Sequence, residues 1–536
     1  MKKTDQTSRS LRKNRNTYLI AALVLFVLWM APYLLLRMNA SVFLLAEDPE
    51  GPTFCGYVAK SASFAWSFVV RYAPYLLTTY ILFVAILIFF EERNPDRTIL
   101  WLLTLALLPV IGIVLYLLLG PDLKRLKNRR IFKPRKSYPS LSSRHPFPAT
   151  IRKTSVLACR NSSSDLYERG EVTILFDGDE TFSAIKRELA HSKRYINIEY
   201  FIFKDDGIGN EIAKILCERA SCGVKVRMAI DGVGTRRLGH KLLSRLHEAG
   251  VQLKTFMPVS FPILRSNINF RNHRKIVVID GDVAFTGGLN VGDEYMGKGP
   301  LGYWRDTHAM FRGDSVKALN EIFLKDWEIC SGERLSSDSE EFAGTPDQGT
   351  PPMPFLPVQV VESGFGSPWY AIQQMFFSMI AEASERIWIT TPYMVPDEAL
   401  FCALQTAALS GVDVRILIPA KSDHFLVYWA GRSNIEELLR AGVRIWRYTR
   451  GFIHAKTMVM DRDIASVGTA NLDNRSLSIN FEVQTFIYDR PTSDLLGEHF
   501  LRDLEDAEEC RLSQWEKRGI GVRILESLGR LWSSQI

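Results

Sequence analysis

The chain has 536 residues, too long for one ordinary domain, and 47% of them are apolar, ample for a core. Its formal charge of +7 excludes little by itself, because the distribution of charge matters more than the sum. Seven scattered cysteines, with no CxxC pair and no Cys/His cluster at zinc spacing, argue against a disulfide framework and against a metal site.

Residues 1–136 read as an all-α membrane region. The stretches 18–36, 73–90 and 98–119 each run 18 residues or more without a charge. A bilayer core needs about 20 apolar residues as helix, so three transmembrane segments are expected. Pro32 and Pro109 are tolerable inside such helices. Residues 18–36 exceed a signal-peptide core and lack a small-residue cleavage site after them. Lys2, Lys3, Arg9, Arg12, Lys13 and Arg15 precede the first segment, and eight basic residues from Lys124 to Lys136 follow the third. Near an anionic leaflet each contributes about 1 kcal/mol of attraction. Basic flanks at both ends ask for the same face, whereas three spans put them on opposite faces. Either one segment is re-entrant or the charge rule fails at one end.

Residues 137–164 are Ser/Pro-rich and read as a linker, as do residues 335–354. Between and after them lie two modules, 165–334 and 355–511, that repeat each other. RYINIEYFIF (194–203) matches RIWITTPYMV (386–395), GVKVRMAIDG (223–232) matches GVDVRILIPA (411–420), and EAGVQLKTF (248–256) matches RAGVRIWRY (440–448). Each is a β-branched run suited to a strand. Helical stretches such as 212–220 and 435–441 alternate with them, which predicts an α/β fold with a mainly parallel sheet. In the C-terminal segment, 512–536, Ile524, Leu528, Leu531 and Trp532 follow helical spacing with Arg523 and Arg530 beside them. That helix either lies in a membrane interface or packs on the second module.

The repeat extends to chemistry. His273-x-Lys275 is followed by Asp280, Gly287 and Asn290; His454-x-Lys456 is followed at the same spacing by Asp461, Gly468 and Asn471. Two residues apart on a strand, each His and Lys share a face. Asp280-Gly281 and Asp461-Arg462 read as turns closing hairpins. Gly287-Gly288 and Gly468-Thr469 then turn the chain past a bound phosphate. Two imidazoles, two ammonium groups and two carboxamides suit displacement on a phosphodiester: the cations and amides stabilise developing charge while one ring attacks phosphorus.

This duplicated HxK…D pattern resembles the HKD motifs of the phospholipase D superfamily from about residue 165 to 511. The segments YFIFKDD, DGVG, FRNHRK, TGGLN, WRDTH and HAKTMVMD, with the hairpin ending ERNPDRTILWLLTLALLPVIGIVLYLLLGP, are similar to bacterial cardiolipin synthases. Residues 1–60 fall outside that resemblance. It implies two α/β sandwich modules side by side sharing one site. It makes His273, Lys275, Asp280, His454, Lys456 and Asp461 the catalytic motif set, with Asp280 and Asp461 as structural support on turns. It assigns attack to His273 and acid/base work to His454, although the sequence itself is symmetric. Asn290 and Asn471 are expected on the phosphate. Each imidazole needs an acid to set its tautomer; the candidates are Asp306, 33 residues past His273, and Glu482, 28 residues past His454.

Softer candidates surround this set. Arg271 and Arg274 either bind a headgroup phosphate or form a solvated face. Glu199, Tyr200, Thr391 and Tyr393 either line the site or pack. His308 reads as a local residue, and His424 either contacts substrate or is an ordinary loop histidine. The implied reaction joins two phosphatidylglycerol molecules held in a bacterial cell membrane, by a multi-pass enzyme that uses no cofactor or metal and no nucleic acid. A membrane-anchored hydrolase, a tethered endonuclease and a noncatalytic scaffold are the alternatives, and the oligomeric state is left open.

Overall fold

The computed structural model describes residues 95–108, 112, 147–235, 238–258, 270–342, 353–364 and 367–532, with eight scattered helical positions between 72 and 86. The chain divides into two compact units, Met1–Gly120 and Pro121–Ile536. In the first, α1 (Pro95–Leu107) buries Trp101 and Leu105 and exposes Ile99, Leu103 and Leu107. Among the described residues no helix is long and apolar enough to cross a membrane. Of the three expected spans, 18–36 lies outside the described residues, and 73–90 and 98–119 lie only partly within them.

The second unit is built on fifteen strands in one continuous sheet. Its first half supplies β1 (Tyr167–Phe176), β2 (Tyr195–Tyr200), β3 (Lys225–Asp231), β4 (Gln252–Phe256), β5 (Ile276–Ile279), β6 (Val283–Gly287) and β8 (Thr307–Gly313); β7 (Tyr303–Arg305) stands outside the sheet. The second half supplies β9 (Phe355–Ser363), β10 (Arg386–Thr390), β12 (Asp413–Pro419), β13 (Arg444–Tyr448), β15 (Thr457–Met460), β16 (Ile464–Gly468), β18 (Glu482–Ile487) and β19 (Ala507–Glu509). Here β11 (Met394–Val395), β14 (Gly451–Ile453) and β17 (Leu472–Asp473) stand outside it. The strand order β4-β3-β2-β5-β6-β8-β1 in one half repeats as β13-β12-β10-β15-β16-β18-β9 in the other. The aligned sequence segments occupy β2 and β10, β3 and β12, and β4 and β13.

The two repeated modules lie side by side as expected, and β1 and β9 pair antiparallel to fuse them edge to edge. One expectation changes: the sheet is not mainly parallel, since β2-β3-β4 and β10-β12-β13 are parallel and the remaining neighbours are antiparallel. The cause is local. Asp280 and Gly281 both adopt positive φ, 55° and 77°, and close β5 onto β6 as a tight hairpin, which only an antiparallel pair can accommodate.

Strands β5 and β6 are buried at every position, so they read as unbroken apolar runs rather than alternating ones. The helix α3 (Ser315–Ser331) lies across the seam. Its Leu319, Ile322, Phe323 and Trp327 share one cluster with Val358 of β9, Val459 of β15 and Val483 of β18. Truncating an aromatic residue there would cost about 3–5 kcal/mol.

The expected tether 137–164 contains α2 (Ala149–Asn161), which packs on α4 (Ala371–Glu382) of the second module. Ile151, Thr154, Ser155, Ala158 and Cys159 form a buried helical stripe that a Ser/Thr-rich composition concealed. Asn161 donates to the Ala371 carbonyl at 3.2 Å. The expected linker 335–354 is also anchored at its start: Phe342 packs edge-on against Tyr195 at 5.0 Å, and Glu341 pairs with Arg227 at 2.7 Å.

Candidate active site

Each HxK segment is held by the opposite module. In front of β5, Phe481 donates its N–H to the Arg271 carbonyl and His273 donates its own to the Phe481 carbonyl, both at 2.9 Å. In front of β15, β14 pairs in parallel with β7, and His454 donates its N–H to the Arg305 carbonyl at 2.7 Å. The extended chain alternates its side chains. Arg271, His273 and Lys275 therefore fall on one side, and Asn272 and Arg274 on the other.

The acids arrive on the same crossed elements. The register matches Gly287 with His308 and Gly468 with Gln484, so Asp306 and Glu482 occupy equivalent positions in the two halves. His273 Nδ1 lies 3.0 Å from Glu482 Oε2, and His454 Nδ1 lies 2.8 Å from Asp306 Oδ2. Sequence distance, counted from the histidine of the same module, does not describe this pairing; each acid serves the other module's ring. A carboxylate can only accept, so Nδ1 carries the proton and Nε2 keeps its lone pair.

Both lysines are buried beside the rings. Lys275 Nζ donates to the His273 carbonyl at 2.8 Å; Lys456 Nζ donates to the His454 carbonyl and lies 2.8 Å from His454 Nδ1. Burial pulls Lys275 down to about 7 and Lys456 to about 8, although Glu482 and Asp306 partly oppose it. Burial also lowers His273, with Glu482 resisting, and burial with Lys456 brings His454 to about 4. Burial pushes both acids up, but His273 and Lys275 around Glu482, and Lys456 and His454 around Asp306, hold them below their ordinary range. The resting cluster thus has neutral rings, charged acids and lysines poised to lose their protons.

The family pattern described as cardiolipin synthase, phospholipase D-like domain, matches residues 185–327 and 376–504. A second, described as phospholipase D-nuclease N-terminal, matches residues 76–121. A cardiolipin synthase of Halalkalibacterium halodurans is 40% identical over 511 residues, covering 93% of this chain and 99% of that protein. One of Geobacillus kaustophilus is 41% identical, covering 85% and 92%. The chain belongs to the cardiolipin synthase family. A solved phosphatidylserine synthase of Haemophilus influenzae Rd KW20 shares the fold, with TM-score 0.55, 15% identity, and coverage of 73% of this chain and 100% of that one. As a cardiolipin synthase family member the chain is a phosphatidyltransferase of the phospholipase D kind.

Within this family member the D of each motif lies at the turn, away from the rings. Asp280 accepts the backbone N–H groups of Lys193, Arg194 and Tyr195 at 2.7–2.9 Å, pinning the start of β2. Asp461 does the same for Glu385 and Arg386 at the start of β10. Asn290 accepts from Ile202 N–H at 3.2 Å and donates to the Tyr295 hydroxyl at 3.0 Å. Asn471 is buried beside Asp473, which its amide helps keep charged, and its Oδ1 has no partner among the described residues. Asn290 thus holds a loop beside the site, whereas Asn471 keeps an unbonded oxygen there. A Cβ at Gly288 would collide with the Asp306 carboxylate, and one at Gly287 would lie 2.5 Å from His308 Nδ1. These glycines make room for the strand that carries the acid.

Arg274 is not a headgroup ligand. It is fully buried, bonded to Asp326 at 2.6 Å, to Glu362 and the Ser363 carbonyl of β9 at 3.0 and 2.9 Å, and to the Glu482 carbonyl of β18 at 3.2 Å. Glu199 belongs to the same network through Asn272, and burial followed by Asp326 drives its carboxyl up. Arg271 differs: it reaches Asp231 at 3.3 Å, but its Nε and Nη2 are buried without an acceptor among the described residues. Tyr200 and Thr391 pack, and His308 is buried with neither ring nitrogen bonded. Exposed His424 pairs weakly with Asp423 at 3.8 Å.

Three rings wall the site. Tyr393, one of the softer candidates, meets His454 at 6.4 Å, while two others escaped the sequence reading: Phe201 meets His273 edge-on at 5.0 Å, and Trp304 leans on His454 at 5.2 Å. Phe201 and Tyr393 occupy matching places in the aligned repeats, the signal that could have exposed Phe201.

Proposed function

We propose that the protein joins two phosphatidylglycerol molecules into cardiolipin, releasing glycerol, in a bacterial cell membrane to which its N-terminal hydrophobic segments hold it as a multi-pass protein. The observation that carries this reading is the crossed pairing, which leaves two imidazoles with free Nε2 lone pairs beside two buried ammonium groups. His273 Nε2 attacks phosphorus; the bond to the glycerol oxygen breaks, and that oxygen takes a proton from His454. The product is a phosphatidyl-histidine. A hydroxyl of the second phosphatidylglycerol then gives its proton to His454 and attacks phosphorus, and the P–N bond breaks to restore His273.

Lys275 and Lys456 neutralise the nonbridging oxygens. The bound phosphodiester anion in turn favours their charged forms and the protonated form of His454, which the acid step requires. Glu482 and Asp306 orient the rings, Asp280 and Asp461 brace the strands, and Asn290 holds its loop. Arg271, on the His273 side of its strand with two unsatisfied donors, receives the second lipid's phosphate. The scheme calls on no metal ion, nucleotide or nucleic acid.

The test is product analysis with purified protein and phosphatidylglycerol in detergent. Cardiolipin and glycerol in equal amounts support the reading. Phosphatidic acid alone would make the protein a hydrolase, and no turnover would sink the proposal.

A further inference from the structure

The C-terminal helix α6 (Ile520–Trp532) is packed inside out. Against α5 (Phe425–Arg440) it turns Val522, Glu526 and Gly529, a stripe at helical spacing. Glu526 is only 4% exposed and pairs with Arg432 of α5 and with Arg518, both at 3.2 Å. A Cβ at Gly529 would meet the Ala430 nitrogen at 2.5 Å, so the two helices are in close contact. The apolar residues point the other way: Ile520 is 80% exposed, Ile524 54%, Leu528 52% and Leu531 75%. At the N-terminal end of α5, Phe425 is 66% exposed. Water-soluble amphipathic helices bury such a face; this one buries its carboxylate instead.

We infer that this outward face is the surface by which the catalytic unit rests on an anionic lipid bilayer. Three observations select that occupant. Residues 511–532 carry four cations, Arg511, Lys517, Arg523 and Arg530, against Glu516, while Arg518 and Glu526 pair with each other inside. A helix of 13 residues is too short to span a bilayer, but an apolar face bordered by arginines suits its interface. The helix that carries the face also packs on α5, which lines the site. A shallow cleft is lined by Val427, Tyr428 and Arg432 of α5 together with Tyr393 and Phe452. Phe452 and Tyr393 each touch the His454 ring, at 5.9 and 6.4 Å. Arg432, which holds Glu526, thus links the docking helix to a wall of the cleft beside the acid/base histidine. A bilayer under α6 would bring lipid headgroups to that mouth.

The inference rests on the reading that the substrate is a bilayer lipid, so its test includes a measurement independent of product. In the full chain reconstituted into vesicles of phosphatidylglycerol and phosphatidylethanolamine, Leu528→p-benzoylphenylalanine is irradiated. Cross-linking to lipid is expected; cross-linking to a second copy of the chain, or to nothing, would overturn the inference whatever the enzyme makes. In parallel, Ile524→Asp with Leu528→Asp should lower cardiolipin formation from vesicle lipid about tenfold or more. It should leave turnover of monomeric short-chain phosphatidylglycerol and the thermal midpoint unchanged. Equal losses on both substrates, or a fall in thermal midpoint, would mean that the face serves packing. Absence of cardiolipin from the unmodified chain, with lipid cross-linking intact, would fault the proposed reaction and spare the docking surface.

Discussion

The two imidazoles share chemistry but not surroundings. Lys456 stands beside His454 Nδ1, whereas Lys275 reaches only the His273 carbonyl. His273→Ala and His454→Ala should each lower transfer by about 10³-fold or more, because each ring is required in both halves of one cycle. Acid quench of the wild type with labelled lipid should leave the label on the peptide containing His273; label on the His454 peptide would reverse the roles. Acidity gives a second expectation. Burial brings Lys275 to about 7 and Lys456 to about 8, so kcat/KM for phosphatidylglycerol should fall as pH rises past about 7. On the acid side it should hold until His273 protonates, below the ordinary imidazole value. The sign for stability is opposite. A buried lysine whose folded pKa lies below its unfolded value of about 10.4 binds fewer protons when folded, so stability rises with pH from about 7 toward 10. Lys275→Met should accordingly raise the thermal midpoint at pH 7 by a few degrees while removing activity. A lowered midpoint would show that the charge is net favourable where it stands.

At the scale of elements, the D of each motif acts on strand ends. Asp280→Ala removes the acceptor for three backbone N–H groups at β2, and Asp461→Ala does so at β10. Charge-assisted bonds of this kind contribute roughly 1.5–3 kcal/mol each, with relaxation reducing the sum. Each variant should therefore lose about 2–4 kcal/mol in denaturant unfolding yet retain measurable transfer at low temperature. Transfer abolished in a variant of unchanged stability would return these carboxylates to the chemistry. The same elements show what a sequence reader can reach. The strands were legible because the repeats align, and the HxK residues because a two-residue period fixes their face. The crossed pairing of Glu482 with His273 and Asp306 with His454 was not, since spacing along the chain does not say which module's strand passes which ring. α2 stayed hidden because Thr154 and Ser155 occupy core positions that a polarity count assigns to a linker.

At the scale of the whole unit, the β1–β9 pairing, α3 and Arg274 join the halves into one body. Arg274 is the tightest of these ties: it stands at the head of β5 and bonds Asp326 of α3, Glu362 and Ser363 of β9, and Glu482 of β18. Neither half contains a complete histidine–acid pair, so an isolated half would lack the oriented rings the chemistry needs. The covalent link between the modules should nevertheless be dispensable once the sheet has formed. A protease site introduced between residues 343 and 352, cut after purification, should leave two fragments that migrate together, unfold in a single transition and retain transfer. Arg274→Met should reverse this, because it strands Asp326 and Glu362 as buried charges short of a partner, at a cost of about 3–5 kcal/mol. In the cut protein that loss should appear as fragment separation at lower denaturant together with the end of activity. In the uncut protein the tether should keep part of the activity. If the cut wild type separates spontaneously, or Arg274→Met behaves alike with and without the cut, the seam is weaker than its packing implies.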